Sequence, residues 1–198
     1  LKKRKQISGY FPTWRLDGLE LFRDVNDFTK LEEINFLLKK TNSLMIVKKH
    51  MNSDKKDKNV LYNNNIEELI NHLQTLESFV FAEYDFDLNS ILDVCDVLIT
   101  DYSGVIFDFL YLDRPIITYT PDYKEFKSST GFILDPTENN FTFNVNNFDQ
   151  LKNLILNFET SNNKFKDIHF KNRSLIKDRV FLKNSGIKEI VEFIDSEA

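Results

Sequence analysis

Short runs of consecutive apolar residues alternate along this chain with longer stretches whose apolar positions recur every three to four residues. The runs Leu44–Val47, Phe79–Ala82, Val97–Thr100 and Ile116–Tyr119 have strand length. They are continuous rather than alternating, as in strands buried on both faces. Gln6–Phe11 is a further candidate strand, ended by Pro12. Between the runs, Asp24–Lys40 sets Leu31, Ile34, Leu37 and Leu38 at helical spacing, and Asn65 caps a helix carrying Ile66, Leu69, Ile70 and Leu73. Leu88–Cys95 turns Ile91, Leu92 and Cys95 inward, and Ser103 opens a helix through Leu112 that Arg114-Pro115 breaks. Phe148–Phe158 and Ser185–Ile194 complete the predicted helices. Apolar strands alternating with helices predict an α/β fold: a Rossmann-like parallel sheet with helices on both faces. Ligands of such sheets bind outside the carboxyl ends of the strands, so residues just after each strand carry the functional information.

Composition narrows the classes. The 198 residues are 41% apolar with 19 Phe, enough for a substantial core in a single domain spanning 1–198. A net charge of −5 argues against nucleic acid as a partner. Cys95 is the only cysteine, so no intrachain disulfide forms, in keeping with a reducing, cytoplasmic setting. No Cys or His spacing suggests a metal site, and nothing calls for an organic cofactor. No apolar run reaches the ~18 residues of a membrane span. The basic start Leu1–Lys5 reads as a solvated loop or, in a longer protein, a patch near anionic lipid. A chain beginning at Leu1 is read as a cut at a domain boundary.

Three clusters follow predicted strands. In the first, the strand ending at Thr100 leads through Asp101-Tyr102 to Ser103-Gly104 and a helix start, whose free N–H groups suit a phosphate. The Ser103 hydroxyl can donate to a phosphate oxygen, and Gly104 permits close approach to the backbone. Asp108, one helical turn on, can accept from ribose or polyol hydroxyls. In the second, Lys48-Lys49-His50 follows Leu44–Val47 and offers cations and a titratable imidazole to an anion. In the third, Pro12-Thr13-Trp14-Arg15 follows the first strand; Arg15 can grip a phosphate bidentately and Thr13 can donate a hydroxyl. From spacing alone each cluster also has a structural reading: Ser103 as a helix cap, Asp108 as a solvated helix residue, the lysines as a surface turn, Trp14 as packing. His72, in a helical pattern, and His169, in a polar stretch, are read as structural.

The segments Gly9-Tyr-Phe-Pro-Thr-Trp-Arg15, Lys48-x-His50, Leu98-Ile-Thr-Asp-Tyr-Ser-Gly-Val-Ile-Phe-Asp108, Arg114-Pro-Ile-Ile-x-Tyr119 and Pro121-Asp122 occur in that order. This set resembles the CDP-glycerol glycerophosphotransferase family, the polymerases of teichoic acids and related capsules. The resemblance implies the C-terminal domain of a two-domain GT-B enzyme, with the acceptor-side N-terminal domain absent from this chain. It also implies transfer of glycerol phosphate, or a related polyol phosphate, from a CDP-linked donor to a growing polymer with release of CMP. Carried over by motif, Ser103, Gly104 and Asp108 contact the CDP-polyol, Thr13 and Arg15 lie beside the donor phosphates, and Lys48 sits near the diphosphate. His50 is the implied catalytic residue. The acceptor, lipid-linked or glycan, is reached through the missing half, and the full protein is expected at the inner face of the cell membrane.

The chain departs from the family pattern in three places. Many relatives carry a second Ser at the position of Gly104, a Pro-Gly-Pro segment is absent after Gly131-Phe132, and the C-terminal signature is reduced to Asn184-Ser185-Gly186 with Lys188. Three rival readings remain: a GT-B glycosyltransferase domain using another nucleotide sugar, a receiver-like domain built on Asp101, and a binding module that retained the fold without catalysis.

Overall fold

The computed structural model describes residues 5–13, 28–48, 64–82, 86–132, 134–160 and 168–181. In chain order the elements are β1 (Gln6–Phe11), α1 (Phe28–Thr41), β2 (Ser43–Lys48), α2 (Asn64–Thr75), β3 (Phe79–Ala82), α3 (Leu88–Val94), β4 (Val97–Thr100), α4 (Val105–Leu110), β5 (Ile116–Tyr119), α5 (Tyr123–Ser129), β6 (Phe143–Val145), α6 (Phe148–Thr160) and α7 (Phe170–Val180). The strands form one six-stranded sheet in the order β3-β2-β1-β4-β5-β6, with every pairing parallel.

Side chains leave the strands alternately to the two faces. Val97 and Ile99 of β4 join one core with Leu31, Ile34 and Leu38 of α1, Leu69 and Leu73 of α2, and Leu151 and Ile155 of α6. Leu98 joins the other with Ile91 and Leu92 of α3, Ile106, Phe109 and Leu110 of α4, and Ile176 of α7. β4 and β5 are buried at every position, as continuous apolar runs require. Helix ends are set by local chemistry. Asn42 takes φ 57° and its N–H bonds back to the Lys39 carbonyl, ending α1. Arg114 Nη1 donates to the Asp93 and Cys95 carbonyls at 2.6 and 2.7 Å, so this residue of the recognised motif closes the end of α3.

All five strands expected from the sequence are present. The structure adds β6, α5 and α7. β6 is only three residues long and alternates rather than running apolar. α7 buries Arg173 beside Ile176, so it has no apolar stripe to read. The helix expected over Ser185–Ile194 lies outside the described residues.

Gly9 has a packing role that the sequence does not disclose. A Cβ there would stand 2.3 Å from Phe11 Cε2 and 2.7 Å from Cys95 Sγ. Both neighbours are buried, Cys95 completely. Burial, reinforced by the charge of Asp96, pushes the Cys95 thiol up to about 12, so it stays a neutral packing group. Gly9→Ala should therefore destabilise the protein by ~1–3 kcal/mol, the usual range for overpacking. Urea unfolding checks this, and a second substitution Cys95→Ala should restore part of the loss.

Candidate functional site

The strand order is that of a dinucleotide-binding sheet, and it reverses between β1 and β4. Chain connections leave these two central strands toward opposite sides, opening a crevice at their carboxyl ends. Thr13 follows β1 and Asp101 to Gly104 follow β4, so the described part of the third cluster meets the first there.

The two strand ends are tied together. Phe11 and Thr100 form the last register pair, and Thr100 Oγ1 donates to the Phe11 carbonyl at 2.5 Å. Pro12 brings no N–H. The next amide, Thr13, donates to Asp101 Oδ1 at 2.8 Å, and the Thr13 hydroxyl donates to the same oxygen at 2.5 Å. The Tyr102 amide donates to it as well, at 2.6 Å. Tyr102 continues the chain of contacts: its hydroxyl donates to Asp122 Oδ1 at 3.1 Å, and its ring stacks on Phe126 with centroids 4.1 Å apart. The ends of β1, β4 and β5 are thus linked through side chains beyond the sheet's own ladder.

The turn after β4 differs in detail from expectation. α4 begins at Val105 with Gly104 in the cap position, not at Ser103, and spans six residues. So short a helix sums few peptide dipoles, and phosphate binding at this edge would depend on individual groups rather than on a macrodipole. Ser103 Oγ accepts from the Val105 amide at 3.4 Å, a weak cap, and its own proton finds no acceptor among the described residues. Gly104 is exposed with φ −58°, and no atom lies within 4 Å of where its Cβ would be. Its backbone conformation suits any residue, and what glycine leaves is open space. Asp108 is exposed one turn further on, with no ion pair among the described residues.

Lys48 ends β2, the strand next to β1. Its Nζ donates to the Phe86 carbonyl at 3.2 Å, and it lies near Asp87, the N-cap of α3. The Ser90 hydroxyl and amide bond the Asp87 carboxylate at 2.7 and 2.8 Å, and with Lys48 nearby they hold it below its ordinary range. Part of the Lys48 charge is therefore spent along the sheet edge. Trp14, Arg15 and His50 lie outside the described residues.

One expected contact changes. A hydroxyl carries a single proton, and that of Thr13 is donated to Asp101. Thr13 thus faces the crevice as an anchored residue, and donating to a phosphate would require breaking that bond. Asp101, Tyr102 and Asp122 are the residues whose roles sequence reasoning missed. The available signal was an Asp directly after a buried strand, where its carboxylate can capture the next amide. The other histidines are engaged in packing: His72 stacks on Phe28 at 4.8 Å, and His169 Nδ1 contacts the Asn140 carbonyl at 2.6 Å.

Comparison with known proteins bears on the family and the fold. The family model described as CDP-Glycerol:Poly(glycerophosphate) glycerophosphotransferase matches residues 1–186. A teichoic acid poly(glycerol phosphate) polymerase of Bacillus spizizenii is 31% identical over 145 residues, covering 68% of this chain and 32% of the relative. A teichoic acid glycerol-phosphate primase of Bacillus subtilis is 29% identical over 134 residues, covering 66% and 30%. Among solved structures, the wall teichoic acid polymerase TagF superposes with TM-score 0.62 at 21% identity, over 88% of this chain and 38% of TagF. The chain spans about a third of the length of these curated relatives.

Proposed function

Because the chain belongs to the CDP-glycerol:poly(glycerophosphate) glycerophosphotransferase family, we propose that it is the donor-binding part of an enzyme that transfers glycerol phosphate from CDP-glycerol to a growing teichoic acid-type polymer. The observation that supports this reading is the junction of Thr13 with Asp101, which brings the ends of two motif segments together at the carboxyl edge of the sheet, where β1 and β4 diverge. A TagF variant soaked with CDPG is among the structures sharing this fold, which supports a CDP-linked donor.

In the proposed reaction an acceptor hydroxyl oxygen attacks the β-phosphorus of CDP-glycerol. The new P–O bond forms as the bond to the bridging oxygen breaks, and CMP leaves with that oxygen. Phosphoryl transfer of this kind depends on positioning and charge neutralisation. Arg15 and the Ser103 hydroxyl hold the diphosphate, with Lys48 adding positive potential from the neighbouring strand. Open space over Gly104 admits the donor, and Asp108 accepts hydrogen bonds from its polyol or ribose hydroxyls. His50, protonated, stabilises charge on the bridging oxygen. The base that takes the acceptor proton belongs to the N-terminal half, as does the surface that binds a lipid-linked or glycan acceptor. We place the full enzyme at the inner face of the membrane; among the described residues no helix is long and apolar enough to cross one.

Steady-state CMP release by the full-length enzyme tests this. CDP-glycerol should be turned over in strong preference to a UDP-sugar. Asp108→Asn should raise KM for CDP-glycerol about tenfold, the loss of one charge-assisted hydrogen bond. Equal use of a UDP-sugar would favour the glycosyltransferase reading, and an unchanged KM in Asp108→Asn would remove Asp108 from the site.

A further inference from the structure

We propose that Asp101 is a positioning residue for donor binding: its carboxylate ties Thr13, just after β1, to Tyr102, just after β4, and its loss frees the two strand ends from one another at the crevice. This rests on the donor-binding reading above. The geometry is specific. Three donors converge on the single oxygen Oδ1: the Thr13 amide at 2.8 Å, the Thr13 hydroxyl at 2.5 Å and the Tyr102 amide at 2.6 Å. Two come from a residue 88 positions away in sequence. The sheet ladder stops at Phe11 and Thr100, and Pro12 cannot extend it. Beyond that point, among the described residues, the direction in which the chain leaves β1 is fixed by this carboxylate. That chain leads two residues later to Arg15, and on the β4 side Asp101 is two residues from Ser103.

A carboxylate beside a diphosphate site would ordinarily repel its ligand. Here its charge faces three N–H and O–H donors, so it is compensated by the frame it builds. Asp101 accordingly touches no reacting atom in this account. It acts through Thr13 and Tyr102, by holding the two strand ends together before the donor arrives, so that binding does not bear that entropic cost. The same engagement of Oδ1 counts against the receiver-like reading, in which this carboxylate would have to be available as a phosphate acceptor.

Asp101→Ala removes all three bonds. It should weaken CDP-glycerol roughly tenfold or more, seen as a raised KM in CMP release with kcat changed much less. Asp101→Asn keeps an acceptor oxygen without the charge and should recover most of the affinity, which guards against a simple folding failure in the alanine variant. Thr13→Val combined with Asp101→Ala should cost no more than Asp101→Ala alone, because both act through one contact. Amide hydrogen exchange reads the frame without any ligand. Thr13 and Tyr102 amides should be protected in the wild type and exchange faster in Asp101→Ala. Unprotected amides in the wild type, unchanged KM in Asp101→Ala, or fully additive Thr13 and Asp101 effects would each overturn the proposal. Protected amides in a wild-type protein that binds no CDP-glycerol would instead leave the frame standing and overturn the donor reading.

Discussion

His50→Ala should lower kcat for CMP release by the full-length enzyme about 10²–10⁴-fold, with a much smaller change in KM for CDP-glycerol. As the bond to the bridging oxygen breaks, negative charge grows on CMP. A protonated imidazole meets that charge most strongly in the transition state, so its removal falls on kcat. His50 comes two residues after Lys48, the last residue of β2, whose neighbour in the sheet is β1 at the crevice. Neither remaining histidine is a ready substitute. His72 is stacked on Phe28, with Glu32 at 3.5 Å, and His169 is held at the Asn140 carbonyl. A raised KM at wild-type kcat would reassign His50 to ground-state binding, and near-normal values of both would remove it from the site.

The largest expected stability effect lies elsewhere. Arg173→Ala should cost ~3–5 kcal/mol, read as a lower urea midpoint with an unchanged slope. Arg173 is completely buried in α7. Its Nη2 donates to the Asp113 carbonyl at 3.1 Å, and its guanidinium lies over the Phe170 ring with 5.8 Å to the centroid. One turn on, Lys177 Nζ donates to the Tyr111 carbonyl at 3.1 Å and pairs with the Asp113 carboxylate at 2.8 Å. Asp113 sits in the left-handed region at φ 54°, just past the end of α4. Two cations of α7 therefore satisfy carbonyls of the turn that follows α4, as cations near helix carboxyl ends commonly do. Alanine would leave both a cavity and an unmet carbonyl. Arg173→Met, which keeps most of the volume, should lose clearly less. A cost under ~1 kcal/mol for the alanine variant would contradict this account of how α7 braces the helix that carries Asp108.

The sheet was largely legible because its strands are short continuous apolar runs, and β4 and β5 are buried at every position. What escaped was structure with no apolar period: β6 with its three residues, and α7 organised around a buried arginine. The same division holds at the site. The candidates Thr13, Lys48, Ser103, Gly104 and Asp108 come from a rule that needs only sequence order, that ligands meet parallel sheets at the carboxyl ends of strands. The role of Asp101 depends on Thr13, and that of Gly9 on Cys95. These pairs are far apart in the chain, and no local pattern records such contacts. The Thr13 hydroxyl shows the cost of local reasoning, since the proton assigned to a phosphate is already donated to Asp101.

The central claim is that the β1/β4 crevice binds a CDP-polyol. Calorimetric titration of CDP-glycerol into the protein tests it most directly, with CDP-ribitol and a UDP-sugar as comparisons and Ser103→Ala as the site variant. The expected result is saturable binding of CDP-glycerol, clearly tighter than the UDP-sugar and weakened several-fold in Ser103→Ala. Equal affinity for the UDP-sugar, absence of CDP-glycerol binding, or unchanged affinity in Ser103→Ala would contradict it.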